Sequence, residues 1–137
     1  MPKIAFHWPS LIASAIAIYV VGFLLYGLIF EEAWLVWSGY RAETLAAESW
    51  RMALSPIMPV LLAAGIGWIL HWCKPADLGA ALGLGGLVWL LLLLPTRLYA
   101  WVYGPQPLGL LLLDSGHLLA DALLAAAIQQ AWPKKAQ

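Results

Sequence analysis

Charged side chains make up only 10% of the 137 residues, and seven basic groups cancel seven acidic ones to a formal net charge of zero. No basic field is left to gather nucleic acid, and no field of either sign to steer a soluble partner. Cysteine is nearly absent as well. Cys73 stands alone, which excludes an intrachain disulfide and removes support for a cysteine-built zinc site or a thiolate nucleophile. What the chain has in quantity is apolar surface: 64% of its residues are hydrophobic and its mean hydropathy is +0.84. That is far outside the balance of a water-soluble domain and implies an integral membrane protein.

Four apolar runs carry that surface, at about 8–30, 55–72, 78–103 and 108–132. A helix satisfies its own backbone groups where lipid cannot, so each run is predicted to cross the bilayer as a helix, giving an all-α, single-domain four-helix bundle. The stretch from Leu11 to Phe30 is close to the ~20 residues that span a bilayer and longer than the apolar region of a secretory signal, so it is read as the first helix. In the second run, Pro56 and Pro59 are tolerable only if they fall in the first turn. The connections CKPAD (73–77) and GPQP (104–107) are tight, Pro-containing turns that make their flanking helices antiparallel.

The first connection, 31–54, is longer. Ala42, Leu45, Ala46, Ser49 and Ala53 follow helical spacing, with Arg41, Glu43, Thr44, Glu48 and Arg51 elsewhere on the wheel. It reads either as an amphipathic helix lying on the membrane surface or as the polar lead-in to helix 2. Trp8, Trp34, Trp37, Trp50, Trp72, Trp101 and Trp132 fall near helix ends, as interfacial anchors do, whereas Trp68 and Trp89 lie further in and read as packing residues. Lys3, Lys74, Lys134 and Lys135 lie on one side and Arg41 and Arg51 on the other, which predicts both termini in the cytoplasm. Gly79 and Gly83, continued by Gly85 and Gly86, form a small-residue face for close helix contact, within the chain or in a homo-oligomer.

The polar residues inside these runs are the candidate site. Asp114, His117 and Asp121 fall within about a 60° arc of one helix and therefore point the same way. Ionisable groups at membrane depth normally pair with one another or line a wet cavity. Folding helices 3 and 4 about the turn sets Arg97, eight residues before Pro105, almost level with Asp114, nine residues after it. An Arg97–Asp114 ion pair is expected. Tyr26 is expected near the level of Asp114 and Tyr19 nearer His117, where two phenols could donate to the carboxylates. Asp121, roughly 10 Å deeper at ~1.5 Å per residue, has no obvious partner, and is expected to be protonated or hydrated. Glu31 and Glu32 directly follow helix 1, where negative charge opposes the helix dipole. They read as a solvated turn or as an acidic mouth that concentrates cations at a cavity.

Four readings of the cluster are open: an ion pair and hydrogen bonds that fix helix packing, a pocket or path for a small polar or cationic ligand, a metal site, and catalysis. Metal binding lacks a further ligand beside Asp-x-x-His-x-x-x-Asp. Catalysis lacks an activated nucleophile, and no cofactor motif is present. The residues favour a non-enzymatic ligand-binding or permeation module built on Tyr26, Arg97, Asp114, His117 and Asp121, with Glu31 and Glu32 at its mouth. The alternative is a structural or accessory subunit of the inner membrane.

The stretch GFLLYGLIFEEAW (22–34), with GAALGLGGLVWL (79–90) and the fourth helix carrying DSGHLL, resembles the DUF1761 family of small bacterial four-helix membrane proteins. The resemblance spans most of the chain, through Gly22, Tyr26, Gly27, Phe30 and Trp34, the glycine-rich start of helix 3, and Gly116. It implies the four-helix fold and no established activity. Where the family often has Tyr-Gly-Pro, this chain has Tyr26-Gly27-Leu28.

Overall fold

The computed structural model describes residues 7–133, and every regular element among them is helical. α1 (Trp8–Leu24) runs on through a π-helical turn (Leu25–Ile29). Two short helices follow, α2 (Glu31–Ser38) and α3 (Ala42–Ala47), and then a 3₁₀ stretch (Ser49–Leu54) leads into α4 (Ile57–Cys73). α5 (Leu78–Val88), a second π-helical turn (Trp89–Leu93) and α6 (Leu94–Tyr103) form one long rod, and α7 (Leu108–Ala131) returns beside it. Four helical spans are long and apolar enough to cross a membrane: Trp8–Ile29, Ser49–Cys73, Leu78–Tyr103 and Leu108–Ala131. The second starts earlier than the sequence suggested, because the 3₁₀ stretch is continuous with α4.

The start and stop signals act locally. His7 caps α1 by accepting from the Ser10 backbone N–H at 3.4 Å, and Asp77 caps α5 by accepting from that of Ala80 at 2.8 Å. Pro56 and Pro59 flank the first residues of α4, where a missing N–H costs nothing. α4 closes at Lys74, whose backbone is left-handed and whose N–H reaches the Leu70 carbonyl.

α7 is the centre of the bundle and touches α1, α2, α4, α5 and α6. Its face toward its neighbours is made of small residues, with Ala122, Ala125 and Ala126 wholly buried. Between membrane helices there is no hydrophobic driving force to gain, since lipid is as apolar as leucine, and close packing takes its place. Gly85 of α5 shows how close that packing is, because a Cβ there would stand 2.8 Å from the Ala122 carbonyl oxygen. α5 thus packs inward through Ala81 and Gly85. Gly79 and Gly83 face outward, and Gly83 has open space beside it. Around this seam Leu11, Ala15, Ile18, Ala63, Ile66 and Leu70 complete the core. Gln129 donates to the Ala63 carbonyl at 2.8 Å and Gln130 to that of Pro75 at 3.2 Å, fastening the end of α7 to α4 and the following turn.

The first connection is not one surface helix, and its last part is the lead-in to α4 that the second sequence reading expected. Residues 31–54 form three short helical pieces in place of one surface helix, broken at Gly39, whose φ of 71° needs a residue without a Cβ, and again at Glu48.

Candidate functional site

Phe30 ends the first span, and Glu31 and Glu32 open α2. Their carboxylates therefore sit in the first turn of a new helix, where negative charge complements the dipole. The apparent conflict at the end of helix 1 disappears because the chain re-nucleates there. Both side chains are exposed.

Two departures from regular α geometry shape what lies beneath. In α1 the Phe30 N–H reaches back five residues to the Leu25 carbonyl at 2.8 Å, and Tyr26 is carried on this widened turn. In the rod of α5 and α6, the widened turn precedes Pro95. A proline inside a helix removes a hydrogen bond and its ring strikes the carbonyl four residues back, so a locally wider ladder relieves the clash. Such turns recur at functional sites.

The widened turn in α1 brings the Tyr26 hydroxyl to Asp114, to which it donates at 2.6 Å. That is the length of a strong hydrogen bond to a charged oxygen. Arg97 donates from Nη1 to the other carboxylate oxygen at a looser 3.4 Å. One turn further along α7 the His117 ring stands edge-on to Tyr26, with centroids 5.1 Å apart. Gly22 makes room for it, since a Cβ at Gly22 would lie 3.2 Å from His117 Nε2. The same Nε2 lies 3.2 Å from Asp121 Oδ2, within ion-pair distance yet out of hydrogen-bonding alignment. Tyr26, Arg97, Asp114, His117 and Asp121 are thus brought into one column along α7.

Tyr19 is not part of it. It is exposed, and its hydroxyl accepts from Ser55 at 3.4 Å. Tyr19 lies in the regular part of α1, before the widened turn that carries Tyr26.

The column carries polar atoms that the protein leaves without partners. Arg97 Nε, Ser115 Oγ, His117 Nε2 and Asp121 Oδ1 are buried with no hydrogen bond among the described residues. Asp121 as a whole is 2% exposed. Each such atom costs about 1–3 kcal/mol relative to a satisfied one, and three of the four, those of Arg97, His117 and Asp121, belong to the column. No group of three or more His, Cys, Asp or Glu among the described residues is placed to hold a metal ion.

Above the column lies a cap of aromatic rings that sequence reasoning assigned to the membrane surface. Trp34 meets Tyr26 edge-on at 6.2 Å and leans on Tyr40 at 5.7 Å. Trp37 fills the space beside Gly109, where a Cβ would come within 2.6 Å of its ring. Nothing in the sequence marked this inward role, because a tryptophan is as much at home at the membrane surface as against a neighbour. Trp89 likewise turns inward, donating its indole N–H to the Ser115 carbonyl at 2.8 Å, whereas Trp68 is exposed and pairs with Trp72 at 6.0 Å.

Comparison with known families gives a match to a model described as a protein of unknown function, DUF1761, over residues 9–129. The chain belongs to the DUF1761 family. The matched region takes in nearly all of the four spans and every residue of the column. No curated protein and no solved structure matches this DUF1761 chain.

Proposed function

We propose that this membrane protein holds a small polar or cationic guest in the column formed by Tyr26, Arg97, Asp114, His117 and Asp121. The observation that carries this reading is the set of buried polar atoms without partners, above all Asp121 Oδ1. Polar groups at membrane depth that do not meet one another are usually those that meet a guest. Asp121 lies thirteen residues after Leu108 and ten before Ala131, roughly 15–20 Å from either end of its helix at ~1.5 Å per residue. The structural alternative accounts well for the other end of the column, where Tyr26, Asp114 and Arg97 close on one another. It leaves the His117–Asp121 end unexplained.

The setting that fits this role is the inner membrane of a bacterium, with both termini in the cytoplasm. Lys3, Lys134 and Lys135, on which that orientation rests, lie outside the described residues. A second copy of the chain would pack on the outward Gly79–Gly83 edge, and the exposed Glu31 and Glu32 would draw cations toward the capped end.

Infrared difference spectroscopy of the reconstituted protein tests the reading. The Asp121 carboxyl stretch, assigned by its loss in Asp121→Asn, should respond to a change of pH or to added ammonium, sodium or potassium. Silence toward all four would reduce the column to a packing device.

A further inference from the structure

The charges at membrane depth do not cancel. Arg97 and Asp114 offset each other, and Tyr26 supports the same carboxylate. Apart from Arg51, which pairs with Glu48 at 2.8 Å near the start of its span, the only other charged residue in the four spans is Asp121. With both carboxylates ionised the column would be one negative charge in excess, at a depth where an uncompensated charge costs several kcal/mol.

The groups around this excess are few. α1 presents the Tyr26 ring to His117 and the Gly22 backbone beside it. α6 contributes Arg97, already engaged with Asp114. α5 has no ionisable residue, and those of α4, His71 and Cys73, are exposed in its last turn. The acids of α2, Glu31 and Glu32, are exposed at its start. Among the described residues, only His117 stands within ion-pair distance of Asp121, at 3.2 Å.

We propose that His117 and Asp121 form a proton-binding site, and that the guest of the column is one exchangeable proton, carried either by the His117 imidazole or by the Asp121 carboxylate 3.2 Å from its Nε2. This rests on the reading of the column as a guest site and names the guest. A single proton brings the column to neutrality, whether it resides on imidazole beside carboxylate or on the carboxyl beside neutral imidazole. On release it passes to water at one membrane face, leaving a neutral imidazole, a carboxylate and the excess charge. Larger guests fit less well. A metal ion would find two protein ligands where tetrahedral or higher coordination asks for more. A polyatomic cation cannot enter between groups 3.2 Å apart with the Gly22 backbone against the ring.

The experiment is a proton count on the chain reconstituted in lipid vesicles. Potentiometric titration between about pH 4 and 9 should show one more proton per chain for wild type than for Asp121→Asn. Infrared spectra of wild type with isotope-labelled aspartate and histidine should show the same titration on one of the two side chains, which keeps the test valid if the variant fails to assemble. High ammonium or potassium at constant ionic strength should leave the curve in place. A curve displaced by either cation overturns the proton as the guest while the guest site stands. Carboxyl and imidazole bands that both stay unchanged throughout the pH range but shift with a cation overturn the proposal. Bands silent to pH and to every cation overturn both.

Discussion

Tyr26→Phe isolates one hydrogen bond at membrane depth. The substitution keeps the ring, so the edge-on contacts with His117 at 5.1 Å and Trp34 at 6.2 Å remain, and only the hydroxyl that donates to Asp114 at 2.6 Å is lost. A hydrogen bond to a charged group is worth about 1.5–3 kcal/mol in water-soluble proteins. Coupling energies between membrane helices are smaller, about 0.6 kcal/mol on average and up to about 1.7, because the unfolded chain in the membrane also finds partners. The short distance and the charged acceptor place this bond at the upper end of the membrane range, so a loss of about 1–2 kcal/mol is expected. Arg97 stays beside Asp114 and limits the damage, at 3.4 Å. Reversible unfolding by denaturing detergent in bicelles, followed by the fluorescence of the nine tryptophans, measures it. A cycle with Asp114→Asn and the double variant should give a coupling of about 1 kcal/mol. If the two losses add within about 0.3 kcal/mol, the hydroxyl and the carboxylate are not joined and the geometry of the column is wrong.

Gly85→Val should destabilise the bundle by about 1–3 kcal/mol, because its Cβ would meet the Ala122 carbonyl oxygen at 2.8 Å; Gly83→Val, facing open space in the monomer, should be nearly neutral in the same unfolding assay. Reporter fusions at Gln137 and within the connection after α2 should be active on opposite sides of the membrane, and a C-terminal fusion active in the periplasm would reverse the orientation proposed from the lysines.

The sequence by itself determined the number of helices long and apolar enough to cross a membrane and the tight turns after the second and third of them. Hydropathy over some twenty residues and proline in a short connection are local properties. It also determined that Asp114, His117 and Asp121 share one face, since helical spacing fixes direction along a single helix. Matching distances from the GPQP turn were enough to set Arg97 beside Asp114, for the same reason. The inward face of the apolar helices was another matter. A leucine or tryptophan is equally at home against lipid or against a neighbour, so hydrophobicity carries no inward signal in a membrane, and only small and polar residues mark the interface. Hence Trp34 and Trp37 looked like surface anchors until the short helix α2 folded them over Tyr26 and Gly109. Gly79 and Gly83 looked equivalent to Gly85 until packing chose the latter. The two widened turns were decided by tertiary structure as well, because no side-chain period announces a change in the backbone ladder. The turn that follows α1 carries Tyr26 to Asp114, while Tyr19, in the regular helix before it, meets Ser55.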